Sequence, residues 1–241
     1  MAMNRITTVI FDMYETLVEN GPHLWQETFR QIIREQDLNV DVDRLWQEWR
    51  TAELDFRANR IKPGSAFQSY FQGWRDCFVR AYEVLGLKGD PSAAARKSIL
   101  DMSLREPYPE TLEALPQVQR QWTTAILSNA DDGYLLPNVE LIGLDFQAVL
   151  SSEGARVYKP QPGLFQEMLR RLDVGPGEAI YVGDRQFEDV LGASQAGMRS
   201  VWINRSGAPF DPQLPAPDYQ ISSLLELPAV LAGQGNSKDG E

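Results

Sequence analysis

The chain has 241 residues, of which 43% are hydrophobic and 24% charged, and its 34 acidic and 23 basic residues give a formal net charge of −11. These values predict a globular protein of one or two domains, and the acidic balance argues against nucleic acid and anionic membranes as partners. One cysteine and one histidine exclude an internal disulfide and a Cys/His zinc site, and no signal peptide or long apolar segment is evident, so we expect a cytoplasmic location.

Short apolar runs recur along the chain and predict buried strands of a parallel sheet. Helical segments separate most of them, which is the pattern of a doubly wound, Rossmann-like α/β fold. The runs cover residues 8–11, 124–127, 148–150, 179–182 and 200–203.

A block of about a hundred residues between the first two strands is too long for an ordinary connection, and its amphipathic stretches predict an inserted α-helical domain. The predicted helices cover residues 23–36, 42–59, 66–87 and 92–104. We therefore predict an α/β core from residues 1–18 and 105–232, a helical cap from 19–104, and a disordered tail at 233–241, which has little to bury.

Polar residues that can carry chemistry follow three of the predicted strands. Asp12, Ser128 and Asp184 each stand at a strand end, and Lys159 lies between the last two in sequence. Because ligands bind at the carboxyl ends of parallel strands, we expect these side chains to converge. A single strand-ending Asp is usually a cap or turn residue, but four such groups in order predict a nucleophile, anion-binding groups and a metal ligand.

Four short motifs in this order resemble those of the haloacid dehalogenase superfamily over nearly the whole chain. They are TVIFDMYETL at 8–17, AILSNA at 125–130, KPQPGLF at 159–165 and YVGDRQFEDVLGA at 181–193. The inserted helices are similar to a cap that this superfamily places between its first and second motifs. The resemblance implies a hydrolase that acts on a small anionic substrate.

The resemblance implies a role for each motif residue. Asp12 is expected to form a covalent aspartyl intermediate, which divides one displacement into two easier steps. Ser128, Asn129 and Lys159 are expected to hold the anionic group of the substrate. Thr16 is expected to orient the Asp12 loop by a hydrogen bond.

The same resemblance implies a magnesium ion. Its expected ligands are the carboxylates of Asp12 and Asp184 and the main-chain carbonyl of Tyr14, and the ion would screen the repulsion between a carboxylate and a phosphoryl group. Asp189 is expected to steer Lys159 or a metal-bound water.

Tyr14 departs from the phosphatases of the superfamily, which have a second Asp there as acid and base. A phenol with an ordinary pKa near 10 is a poor base at neutral pH, and losing a good acid–base group costs about two to four powers of ten in rate. The 2-haloacid dehalogenases also resemble this chain at Tyr14. A further similarity is the stretch 49–56 followed by Arg60, which looks like the region where those enzymes keep a substrate-binding arginine.

Asp184 indicates metal-dependent phosphatase chemistry instead, because the metal-free dehalogenases usually have a small polar residue at that position. Our first interpretation of the sequence is therefore Mg²⁺-dependent phosphomonoester hydrolysis, and the alternative is 2-haloacid dehalogenation. A non-catalytic relative that binds anions is the third possibility. The substrate and the oligomeric state are left open by the sequence.

Overall fold

The computed structural model describes residues 5–233 and contains one sheet of six parallel strands. The strand order is β3-β2-β1-β4-β5-β6, which confirms the doubly wound α/β prediction. The strands are β1 (Thr8–Phe11), β2 (Thr123–Ser128), β3 (Ala148–Ser151), β4 (Ala179–Gly183), β5 (Arg199–Ile203) and β6 (Tyr219–Ile221).

The first strand lies at the centre of the sheet, hydrogen-bonded to β2 on one side and β4 on the other. Its last residue, Phe11, is paired with Ile126 and Val182, and all four residues of the strand are buried. The strand order reverses between β1 and β4, and a crevice forms at such a reversal because the connections leave on opposite faces. The residues after these two strands, Asp12 and Asp184, therefore lie where a ligand site is expected.

The sixth strand was not predicted. Tyr219–Ile221 is three residues long and pairs only with β5 at the sheet edge. An edge strand can expose one side to water, so it needs no continuous apolar run and gives only a weak sequence signal.

Ten α-helices accompany the sheet in residues 5–233. The predicted helix 42–59 has the observed bounds, whereas the predicted helix 66–87 begins later, because Ser69 and Gln72 form a reciprocal capping box at its start. The helices are α1 (Pro22–Glu35), α2 (Val42–Asn59), α3 (Tyr70–Leu85), α4 (Pro91–Met102), α5 (Pro109–Gln119), α6 (Asp132–Ile142), α7 (Ser152–Ala155), α8 (Pro162–Leu172), α9 (Leu191–Gln195) and α10 (Leu227–Gly233).

The chain divides into two compact units. The sheet unit contains the residues up to Glu19, Glu106–Asn129 and the residues from Val139 onward, and the helical unit contains Asn20–Arg105 and Ala130–Asn138. The division into an α/β core and a helical cap with the predicted boundaries stays a prediction. Of the predicted disordered tail at 233–241, residues 234–241 lie outside the described residues, and the prediction is wrong for Gly233, which is the last residue of α10.

Residues 130–138 belong to the helical unit because two polar side chains attach them to its helices. The Asp131 carboxylate accepts hydrogen bonds from the main-chain N–H groups of Tyr70 and Phe71 at 2.7 and 2.8 Å, at the start of α3. Asn138 accepts from the N–H of Arg105 at 3.0 Å and donates to the carbonyl of Met102 at 2.6 Å. The sequence did not predict this attachment, because it depends on contacts distant along the chain.

Aromatic side chains form the core of the helical unit. Trp49 is buried and packs against the rings of Trp25 and Phe29, with ring centroids 5.2 and 5.4 Å away. Within residues 5–233, no helix is long and apolar enough to cross a membrane.

Candidate active site

Asp12 directly follows β1 and is fixed by two side chains from later motifs. Its main-chain N–H donates to the carbonyl of Val182 at 2.9 Å, so the hydrogen-bonding pattern of the sheet extends to Asp12. Ser128 Oγ donates to Asp12 Oδ1 at 2.7 Å, and Lys159 Nζ lies 2.9 Å from the same oxygen. Asp12 is 6% exposed. A buried carboxylate held in one orientation by an ammonium and a hydroxyl can act as a nucleophile.

Lys159 is buried and binds three groups in the sheet unit. Besides Asp12, its ammonium donates to Asp189 Oδ1 at 2.6 Å and to the Tyr181 hydroxyl at 2.8 Å. Burial alone would lower the pKa of Lys159, but the Asp12 and Asp189 carboxylates outweigh it and hold that pKa well above its usual value. Lys159 is therefore a permanent cation in the site.

Three carboxylates form a cluster at the ends of β1 and β4. One oxygen from each of Asp12, Asp184 and Asp189 lies within 4.8 Å of the other two. Burial, together with the Asp189 and Asp12 carboxylates, raises the pKa of Asp184 well above its ordinary value. Burial also raises the pKa of Asp189, to about 6, although Lys159 opposes this shift.

This cluster fits a divalent cation. Asp12 and Asp189 share the Lys159 ammonium, and Asp184 adds a third carboxylate, so a bound cation would reduce the repulsion within the cluster. Carboxylate oxygens are the ligands that Mg²⁺ prefers, and Asp184 is partly exposed beside a cavity of about 250 Å³. The predicted contribution of the Tyr14 carbonyl stays a prediction, and Asp189, predicted as a supporting residue, stands within the cluster itself.

A wide helical turn places Asp189 in the cluster. Residues Gln186–Val190 form a π-helical turn, in which a main-chain hydrogen bond spans five residues instead of the four of an α-helix, as from the Val190 N–H to the Arg185 carbonyl. The Asp189 carboxylate accepts from the Arg185 N–H at 2.8 Å and packs against Gly183. A Cβ at Gly183 would lie 2.4 Å from this carboxylate, so only glycine permits the close approach.

Two other predicted residues have contacts that differ from their predicted roles. Asn129 binds the main chain of Lys159 at both ends of its amide, accepting from the N–H at 2.8 Å and donating to the carbonyl at 3.2 Å. It thus positions Lys159, and substrate binding by Asn129 stays a prediction. Among the described residues, Thr16 Oγ1 is buried and has no hydrogen-bond partner, so the bond by which Thr16 was expected to orient the Asp12 loop is not formed.

Tyr14 and Arg60 lie in different units. Tyr14 is partly exposed in the loop after β1 and forms an isolated bridge with Val18. Arg60 belongs to the helical unit, where its buried guanidinium lies 5.4 and 5.0 Å from the ring centroids of Phe56 and Tyr70 and lines a cavity of about 420 Å³. Substrate binding by Arg60 stays a prediction.

Three residues that support the site were missed by sequence analysis. Tyr181 accepts from Lys159 and donates to the Leu127 carbonyl at 2.7 Å. Trp202 Nε1 donates to the Asp184 carbonyl at 2.9 Å, and Arg205 binds the loop after β1. Tyr181 and Trp202 stand inside apolar strand runs, so their polar atoms gave no separate signal.

The doubly wound sheet and the buried Asp12 carboxylate at the end of its first strand are the arrangement expected for the superfamily whose motifs the sequence resembles. The chain belongs to the haloacid dehalogenase-like hydrolases, because the family model of that description matches residues 6–197. The predicted superfamily is therefore confirmed.

Individual relatives include both dehalogenases and phosphatases. The chain is 26% identical to (S)-2-haloacid dehalogenase 4A from Burkholderia cepacia over 95% of this chain and 96% of that protein. It is 30% identical to a glyceraldehyde 3-phosphate phosphatase from Methanopyrus kandleri over 94% of this chain and 97% of that protein. It is also similar to the structure of L-2-haloacid dehalogenase from Xanthobacter autotrophicus with chloropropionic acid covalently bound, with 26% identity, a TM-score of 0.77, and 95% and 99% covered.

Proposed function

We propose that this hydrolase cleaves the carbon–halogen bond of a small 2-haloacid through an ester on Asp12. The sequence alone placed phosphomonoester hydrolysis first, but similarity to 2-haloacid dehalogenases over nearly the whole chain favours the alternative. The observation that carries the proposal is an Asp12 carboxylate held by Ser128 and Lys159, with Tyr14 rather than a second carboxylate two residues further on.

The proposed reaction has two steps. A carboxylate oxygen of Asp12 attacks C2 of the haloacid, the carbon–halogen bond breaks, and the halide leaves with the bonding electrons. Water then adds to the ester carbonyl of Asp12, which releases the 2-hydroxyacid, the Asp12 carboxylate and one proton. A halide leaves as a stable anion, so the first step needs no general acid and Tyr14 is no disadvantage.

The side chains around Asp12 suit both steps. When Asp12 becomes an ester it loses its charge, so the Ser128 hydroxyl and the Lys159 ammonium can turn to the carboxylate of the bound acid. Asp189 lies 2.6 Å from Lys159 Nζ and is the base that we propose for the attacking water. A small anionic acid is thus the proposed partner, while a cytoplasmic location stays a prediction.

Hydrolysis of the Asp12 ester should place one oxygen atom of water in the Asp12 carboxylate, and this tests the proposal. With enzyme in excess over 2-chloropropionate in ¹⁸O-water, we expect the first turnover to give unlabelled lactate and to place ¹⁸O in the Asp12 peptide, measured by mass spectrometry. The lactate oxygen comes from the carboxylate in this mechanism, whereas direct attack by water would label lactate. Labelled first-turnover lactate, or no halide release from either enantiomer, would contradict it.

The carboxylate cluster favours a second candidate function, Mg²⁺-dependent phosphomonoester hydrolysis. Its Asp12, Asp184 and Asp189 oxygens form a donor set suited to the ion, and the phosphatase relatives support the same interpretation. We infer that Asp12 and Asp184 would hold the ion. A bound Mg²⁺ would neutralise the charge between the carboxylate and a phosphoryl group.

Chelation separates the two candidates. If the second is correct, EDTA or Asp184→Ala should lower p-nitrophenyl phosphate hydrolysis by at least about 100-fold, because uncompensated repulsion returns. An aryl phosphate suits the assay, since its good leaving group needs little help from an acid. Halide release should not depend on the metal. Asp173→Asn, an exposed change at a left-handed helix end that Asn tolerates, is the control and should alter neither rate.

A further inference from the structure

Arg205 follows β5 and reaches the loop that carries the nucleophile. Its Nε donates to the main-chain carbonyl of Glu15 at 3.2 Å, and its Nη2 donates to that of Thr16 at 2.8 Å. The side chain is 20% exposed, so water competes little for these bonds. One guanidinium thus donates hydrogen bonds to the carbonyls of two consecutive residues in the loop after β1.

The loop that Arg205 contacts has an unusual backbone conformation. Glu15 has a φ of 60°, in the left-handed region that non-glycine residues rarely adopt, and its N–H donates to the Val18 carbonyl at 2.8 Å. Within the described residues, Thr16 Oγ1 forms no hydrogen bond that could hold the turn. Arg205 therefore supplies two hydrogen bonds that reach the main chain of this loop from a distant segment.

Arg205 is itself held in place by the segment before α5 and its first turn. Its guanidinium lies 3.9 Å from the ring centroid of Tyr108 and forms an ion pair with Glu110. The N–H of Tyr108 donates to the Leu17 carbonyl at 3.0 Å, in the same loop. Because a guanidinium is planar and offers five donors in a fixed fork, it can meet two carbonyls and a carboxylate together, which a lysine ammonium cannot do with the same geometry.

We propose that Arg205 is a positioning residue for the nucleophile, a role that rests on the proposed function of Asp12. By fixing the carbonyls of Glu15 and Thr16, it keeps the loop in the conformation in which Asp12 meets Ser128 and Lys159. Displacing a reacting group by about 1 Å can cost about 100-fold in rate. Arg205 therefore acts on the chemical step through the loop.

The test compares Arg205→Gln and Arg205→Lys with Arg171→Gln, a control that removes an exposed arginine paired with Glu167 in the same unit. Turnover of 2-chloropropionate and p-nitrophenyl phosphate is measured with hydrogen exchange of the peptide covering residues 13–18. We expect kcat to fall about 10- to 100-fold in Arg205→Gln, with KM within about threefold and faster exchange in that peptide. Arg205→Lys should recover only part of kcat, and Arg171→Gln should match the wild type.

Two results would overturn the proposal: a kcat for Arg205→Gln within about threefold of wild type, or faster exchange spread evenly over the sheet unit, which would indicate general destabilisation. If Arg205→Gln does not fold, Arg205→Lys supplies the same comparisons. Should the wild type turn over neither substrate, the proposed function fails, while exchange at residues 13–18 still decides whether Arg205 orders the loop.

Discussion

Asp12→Asn is expected to lower the turnover of every substrate by about four powers of ten or more. An amide cannot attack carbon or phosphorus as a carboxylate does, and the substituted side chain would fill the same volume between Ser128 and Lys159. The measurement is halide and phosphate release by the purified variant, with deamidation of the introduced amide excluded by mass spectrometry.

Asp12→Asn should remain folded, so its loss of turnover would reflect the missing nucleophile and not unfolding. Asp12 is one of three clustered carboxylates, so removing its charge relieves repulsion from Asp184 and Asp189 while it weakens one contact with Lys159. We therefore expect a thermal midpoint near that of wild type in EDTA. Asp173→Asn is the matched control and should keep full activity. Substantial turnover by Asp12→Asn without deamidation would disprove the covalent mechanism.

Lys159→Met is expected to destabilise the protein by about 3–5 kcal/mol, because it leaves buried carboxylates without their cation. Lys159 is 1% exposed and contacts both Asp12 and Asp189, whose side chains are also buried. The measurement is the free energy of unfolding in urea, with EDTA present. Arg171→Met removes an exposed ion pair from the same unit and should cost at most about 1 kcal/mol.

The pH dependence of stability checks the cause of this loss. The pKa of Asp189 is raised from 3.8 to about 6 in the folded protein. Folding therefore favours the protonated form of Asp189. The contribution of this group to the free energy of unfolding is complete below about pH 4 and is lost as the pH rises through 6. Lys159 opposes the rise in the pKa of Asp189, so this pKa should be higher in Lys159→Met. The free energy of unfolding of this variant should therefore fall further with rising pH, and over a range that extends to higher pH. An unfolding free energy of Lys159→Met that equals wild type at pH 7 would contradict this account.

The sequence alone predicted the fold because its signals are local. Buried parallel strands need continuous apolar residues, so β1 and β4 were visible as runs, whereas the short edge strand β6 was not. The strand-ending residues Asp12, Ser128 and Asp184 were also visible, since each directly follows or ends such a run. The order of motifs then indicated the superfamily that the comparisons confirmed.

Only the tertiary structure decided how these residues act on one another. The contact between Lys159 and Asp12 joins residues far apart in sequence, and the π-helical turn that brings Asp189 into the cluster changes spacing without a local signature. The hydrogen bond expected from Thr16 is not formed among the described residues, and Arg205, almost two hundred residues away, binds the same loop instead. Apolar periodicity reports which residues are buried, but hydrogen bonds and ion pairs between distant segments depend on side-chain directions that arise only when the chain has packed.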